Sequence, residues 1–269
     1  MPRPAACSVS IKGRFCTTCS CGEMEEWSRL LEEEVFQVNH RHVIMTIDEG
    51  LWDILKKHRN LLKEFMDEAV RIVKEYFEKK HKVTPVIIAG LHTFGSRMNF
   101  NPLVHMLGMK KSGKWKSYDF VPFEMLRKQW QTVILKLIRR NLNERDKKLV
   151  QARLQQAYSN NGEGFYVYAP KQKGNMKAQM GYIGRYMRRP AIAANRIVEY
   201  DGEYVGFRYQ DIADGQEKAE RIPVEEFIAR LIRHIPDENF KTIRYYGVYS
   251  SRIKALSKKT CERMAARGT

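Results

Sequence analysis

Two stretches decide the fold: Thr84-Pro-Val-Ile-Ile-Ala-Gly-Leu-His-Thr-Phe94 and Leu103-Val-His-Met-Leu-Gly-Met109. Both are apolar and too short for buried helices, and the first is rich in β-branched residues, so both read as strands. Gly95 to Pro102 joins them at hairpin distance, which makes them antiparallel neighbours. Outward toward the N-terminus, His42 to Ile47 is a third buried strand. Asp48 caps the helical region that follows, which runs to about Lys80 with an irregularity near His58–Asn60. Glu23 to Phe36 reads as an amphipathic helix with Trp27, Leu30, Leu31 and Val35 on one face. Toward the C-terminus, Lys110 to Asp119 reads as a basic loop, and Phe123–Asn141 and Glu144–Tyr158 as helices. Phe165 to Ala169 is a strand, and Met176 to Arg189 a helix closed by Pro190. Arg196–Tyr200 and Tyr204–Tyr209 form a hairpin around Asp201-Gly202. A short strand near Lys218–Ile222 precedes Pro223, which opens a helix over Val224–Ile235. Phe240 to Tyr246 is a last strand, followed by a basic helix. Antiparallel strands interleaved with helices make the class α+β.

The chain has 269 residues, 48 Lys+Arg against 31 Asp+Glu, and a net charge of +17. That excess is too large for a typical enzyme of small metabolites and fits a polyphosphate partner, whose neutralisation releases counterions. An RNA-binding or ribosome-binding protein would share it. No apolar run approaches the ~20 residues needed to cross a bilayer, and the N-terminus lacks a signal-peptide core, so a soluble intracellular chain with no membrane partner is expected. Four of the five cysteines fall within residues 7–21, which points to metal rather than disulfides. Cys16-Thr-Thr-Cys19 is half of a zinc knuckle; Cys21 and Cys7 complete it poorly.

The chemistry concentrates in three places. Tyr182 and Tyr186 stand four residues apart and share a helix face. They lie within residues 171–196, which carry seven basic residues and no acidic one. Two phenols flanked by Arg185, Arg188 and Arg189 suit nucleophilic attack on phosphorus, because the arginines neutralise the phosphate attacked. A pair of core aromatics is the structural alternative. Residues 110–153 hold thirteen Lys/Arg and four Asp/Glu, with Trp115, Tyr118, Phe120, Phe123 and Trp130 interleaved. Contact with a single strand of nucleic acid uses this mixture of phosphate neutralisation and base stacking. His92 and His105 lie in or beside the two paired strands, where neutral imidazoles could hold a divalent metal. His40-Arg41-His42 is a less attractive pair, because it sits at the entry of its strand.

Taken together, these pieces resemble the HUH-superfamily transposases of rolling-circle insertion sequences, the two-tyrosine type related to plasmid replication initiators and relaxases. The resemblance rests on Lys12-Gly-Arg-Phe-Cys-Thr-Thr-Cys19, His40-Arg-His-Val-Ile-Met-Thr-Ile47, Leu91-His-Thr-Phe-Gly95, Asn101-Pro-Leu-Val-His-Met106, Tyr182-Ile-Gly-Arg-Tyr-Met-Arg-Arg-Pro190 and Arg244-Tyr-Tyr-Gly-Val-Tyr249. It implies a zinc ribbon followed by an antiparallel HUH-nuclease sheet of RRM/palm-like type with packed helices. On this pattern residues 1–22 are a truncated zinc-ribbon remnant, 23–250 the catalytic domain and 251–269 a basic tail. Tyr182 and Tyr186 match the nucleophiles, which attack single-stranded DNA at element ends and form 5′-phosphotyrosine links. His105 matches the second histidine of the His-hydrophobic-His motif, and His92 is the candidate further ligand for Mg²⁺ or Mn²⁺. Cys16 and Cys19 match part of a zinc site, although Ile11 stands where a further cysteine is expected. Arg185, Arg188, Arg189, Lys110, Lys111, Arg139 and Arg140 are the candidate DNA contacts. A prokaryotic, cytoplasmic and nucleoid-associated location follows from the resemblance. Leu103 replaces the first histidine of the motif and cannot bind metal, which leaves a non-catalytic DNA-binding remnant as an alternative to the active enzyme. A replication initiator or relaxase is the other alternative.

Overall fold

The computed structural model describes residues 41–82, 84–112, 114–116, 123–169, 190–211 and 213–246, with positions 25, 26 and 29. Nine strands and five α-helices occur among them: β1 (Arg41–Met45), α1 (Trp52–Lys57), α2 (Leu61–His81), β2 (Thr84–Phe94), β3 (Phe100–Ser112), β4 (Lys114–Lys116), α3 (Phe123–Asn141), α4 (Glu144–Asn160), β5 (Val167–Tyr168), β6 (Ile197–Tyr200), β7 (Tyr204–Gln210), β8 (Glu217–Pro223), α5 (Val224–Ile232) and β9 (Ile243–Tyr246). The expected α+β class holds. The chain divides into two compact units, one built on residues 37–93, 100–176 and 236–269, the other on 1–36, 94–99 and 177–235.

The first unit is a sheet in the order β5-β1-β3-β2-β9, with β4 paired to the end of β3. β1 runs antiparallel to β3, with Ile44 opposite His105, and antiparallel to β5, with Ile44 opposite Tyr168. β9 runs antiparallel to β2, with Ile87 opposite Tyr246. Alternation along each strand sends side chains to opposite faces. Val43, Met45, Ile87, Ala89, Leu91, Val104, Met106 and Val167 enter the main core. There they meet Phe65, Ala69, Ile72 and Val73 of α2 and Trp130, Ile134 and Leu137 of α3. The other face of the same strands carries His42, Ile44, Leu103, His105 and Tyr168.

Local chemistry explains the joints. Asp48 accepts from the Gly50 amide at 2.9 Å and starts a single 3₁₀ turn, Glu49–Leu51. The helix breaks at 58–60 as expected, with the His58 amide closing α1 onto the Ile54 carbonyl. Trp130 Nε1 donates to the Thr46 carbonyl at 2.7 Å, tying α3 to the end of β1. Gln131 is buried and donates to the Asn161 carbonyl at 2.9 Å, which fixes the end of α4. The connection from β2 to β3 is shorter than expected, residues 95–99, because β3 begins at Phe100. The stretch from Lys110 is no loop at first: β3 continues to Ser112 and turns back as β4, with Lys110 opposite Lys116 and Lys111 opposite Trp115. A run of lysines conceals this from a pattern search for apolar alternation.

The second unit is a three-stranded antiparallel sheet, β6-β7-β8. Its core is Met98, Ile192, Val205, Phe207, Ile222 and Phe227. Asp201 accepts from the amides of Glu203 and Tyr204, and Gly202 takes φ +99° to turn the expected hairpin. His234 Nε2 donates to the Met98 carbonyl at 2.8 Å. Arg230 bridges Glu220 and Glu226, and Arg97 also reaches Glu220.

Gly164 fixes the approach to β5. Its φ is +93°, and a Cβ there would stand 2.3 Å from the Arg127 carbonyl carbon. Gly164→Ala should therefore destabilise the chain by more than the ~1–2 kcal/mol of a left-handed residue, since backbone must also move. A urea midpoint unchanged from wild type would contradict this packing.

Candidate active site

Three histidines from three adjacent strands meet on the sheet face opposite the helices. His105, in the middle of β3, is 2% exposed, as is His92 on β2. Their ring centroids are 5.0 Å apart and nearly perpendicular. His42 on β1 lies against His105 from the other side, with centroids 5.2 Å apart and planes 15° from parallel. His42 Nε2 and His105 Nδ1 are 2.9 Å apart, so one of these nitrogens donates and the other accepts. The sequence brought forward His92 and His105 and set His42 aside as a strand-entry residue. Its position follows from the register: His42 is opposite Leu107, so His105, two residues along β3 on the same face, is its diagonal neighbour. The His-x-His spacing of 40 and 42 was the available signal, but only the pairing reveals its target.

Burial favours the neutral form of His42 and His105. It pushes His42 down from 6.5 to about 4. His105 is held well below its ordinary value, first by burial and then by the neighbouring His92 and His42. Neutral imidazole is the form that ligates metal, and Mg²⁺ and Mn²⁺ also favour oxygen donors, which these three side chains do not supply. Among the described residues no group of three His, Cys, Asp or Glu side chains is arranged to hold a metal ion, so an ion here would need these side chains to shift and oxygen donors from water or a substrate to join them. Leu103 is buried at 9% exposure on the same face, two residues before His105. It contributes no donor.

The other candidates separate from this cluster. Arg139 and Arg140 occupy the last turn of α3, in the helical layer on the far side of the sheet, where cations complement the helix dipole. Arg140 is paired with Glu64 at 2.8 Å and Glu68 at 3.3 Å. Its guanidinium is paired with α2, a contact that the sequence pattern of basic residues did not reveal. Lys110 and Lys111 lie on β3 five and six residues beyond His105, at the β3–β4 hairpin. Tyr182, Tyr186, Arg185, Arg188, Arg189, Cys16 and Cys19 lie outside the described residues. So does the expected apposition of the tyrosine helix to the sheet.

The histidine cluster gives a pH signature. The unfolded chain protonates His42 near 6.5 and the native chain only near 4, so between these values the unfolded state binds more protons. Stability in metal-free buffer should therefore fall as pH drops from about 6.5 through 4. His42→Gln should flatten that part of the profile, read as urea midpoint against pH. An equally steep profile in the variant would place the titration elsewhere.

Residues 87–257 match the family model Y2_Tnp, described as "Putative transposase". Residues 4–47 match Zn_Tnp_IS91, "Transposase zinc-binding domain". The chain is similar to the transposase for insertion sequence element IS801 of Pseudomonas savastanoi pv. phaseolicola, at 25% identity over 256 residues that cover 89% of this chain and 61% of that protein. It is also similar to "Putative transposase y4qJ" of Sinorhizobium fredii (strain NBRC 101917 / NGR234), at 25% identity over 281 residues that cover 94% and 69%. The chain thus spans 61% of the length of the first of these relatives. No solved structure matches it. No described helix is long and apolar enough to cross a membrane. The Y2_Tnp match takes in β2, β3, α3 to α5 and β9, well over half of the chain, and the chain belongs to that transposase family.

Proposed function

We propose that this family member cleaves and rejoins single-stranded DNA at element ends, with Tyr182 and Tyr186 as nucleophiles. The observation that carries the proposal is the convergence of His42, His92 and His105 on one sheet face. In the first step a tyrosine loses its proton and its oxygen attacks phosphorus. The bond from phosphorus to the 3′ oxygen breaks, leaving a 5′-phosphotyrosine and a free 3′-hydroxyl. Rejoining reverses this: a 3′-hydroxyl attacks the phosphotyrosine and returns the tyrosine. A second tyrosine four residues further along the chain allows a second strand to be taken before the first is released. Arg185, Arg188 and Arg189 neutralise the phosphates beside them.

His105, His92 and His42 are the residues that would hold Mg²⁺ or Mn²⁺. Bound there, the ion would polarise the phosphodiester. His42 contributes an imidazole on the face where Leu103 withholds one. This supports an active enzyme over a remnant, because one lost ligand has a neighbour of the same chemistry. The family match at residues 4–47 supports zinc near the N-terminus, with Cys16 and Cys19 among its ligands.

The test is covalent attachment. Incubated with Mn²⁺ and labelled single-stranded DNA carrying an element end, the chain should yield a denaturant-resistant adduct. Tyr182→Phe with Tyr186→Phe should abolish it. Leu103→His should raise cleavage by about an order of magnitude or more, given the ~10–100-fold sensitivity of metal sites even to outer partners. A folded chain that binds the strand and never becomes attached is the non-catalytic remnant, and the proposal fails.

A further inference from the structure

Tyr166 precedes β5 and Tyr168 ends it, at the edge of the histidine-bearing sheet among the described residues, and no step above uses them. They are 49% and 46% exposed, while Val167 between them is fully buried in the core. Alternation therefore sets both phenols on the face opposite the helices, the face of His42 and His105. Their rings are nearly parallel, 16° apart in plane with centroids 6.1 Å apart. Arg127 lies beside them, its guanidinium carbon 5.5 Å from the Tyr166 ring centroid and 5.3 Å from that of Phe123. Edge strands are commonly guarded by charge, and two large exposed rings are an unusual substitute. The register measures the distance to the histidines. Tyr168 is opposite Ile44, and Ile44 is opposite His105, so a single row crosses three adjacent strands. Two interstrand steps of about 4.8 Å put Tyr168 roughly 10 Å from His105 along the sheet.

We infer that Tyr166 and Tyr168 form a stacking platform for unpaired bases of the DNA strand whose phosphate lies at the histidine cluster. This rests on the single-strand function proposed above. Every base has a π-face, so the platform selects unpaired over paired bases rather than one sequence over another. A duplex offers no such face, because its bases already stack on one another. Arg127 adds a cation where the strand would leave the platform. Its present partner, Glu163 at 3.5 Å, is 90% exposed and holds it weakly.

Binding by the full chain of a labelled oligothymidylate of roughly 30 nucleotides, and of a duplex of equal length, tests the inference. Tyr166→Ala with Tyr168→Ala should weaken the single strand about tenfold or more and leave the duplex unchanged. The dependence of single-strand affinity on salt should keep its slope, since stacking releases no counterions. Tyr166→Phe with Tyr168→Phe should bind within about twofold of wild type, because the rings remain. Wild-type affinity in the double Ala variant overturns the platform alone. So does an equal loss on the duplex, or a loss in the Phe pair equal to that in the Ala pair. A wild-type chain with no affinity for the single strand overturns the single-strand function and the platform with it.

Discussion

The pairing of β3 with β1 on one edge and β2 on the other is the constraint on which the rest of the structure depends. A strand residue faces one way only, so this pairing divides the sheet once and for all. Val43, Met45, Val104 and Met106 are buried against α2 and α3. His42, Leu103 and His105 are left together on the other side. A slip of one residue between β1 and β3 would exchange the faces, burying imidazole among Phe65 and Trp130. The apolar core and the candidate metal ligands are two products of one register. Trp130, fully buried and hydrogen-bonded to the Thr46 carbonyl, locks β1 in that register from the helical side.

Charge has to be read after folding. The chain carries an excess of 17 positive charges, yet several arginines are spent on carboxylates. Arg140 meets Glu64 and Glu68, Arg71 meets Glu68 and Glu75, and Arg230 meets Glu220 and Glu226. The exposed pairs of Arg140 and Arg71 contribute little stability, at most about 1 kcal/mol each, whereas Arg230 and Glu220 are both largely buried. Such pairs do compete with phosphate for individual arginines. The histidine cluster is the opposite case. It sits in a basic chain, and burial keeps His42 and His105 neutral and able to ligate.

What the sequence could show was local. β2 occupies Thr84–Phe94 as read from its β-branched run, the helix breaks at 58–60, and Asp201-Gly202 turns the β6–β7 hairpin. These features are set by neighbours in sequence. His42 escaped because its partner lies 63 residues away, and only strand register joins them. β4 escaped because Lys-Trp-Lys pairs through backbone that side-chain patterning cannot reveal. The role of Arg140 escaped for a similar reason, since its partners Glu64 and Glu68 belong to α2. The separate β6–β7–β8 unit was read strand by strand, but its own core, which draws Met98 from the β2–β3 connection, was not visible.

We propose that the divalent ion binds on the sheet face bearing His42, His92 and His105. Electron paramagnetic resonance of bound Mn²⁺ tests it directly, because coupling to imidazole nitrogen distinguishes histidine ligands from an ion held only by oxygen. Nitrogen couplings should appear in the wild-type chain and weaken both in His42→Gln and in His105→Gln. Mn²⁺ bound without nitrogen coupling, or coupling that survives intact in His105→Gln, would contradict it.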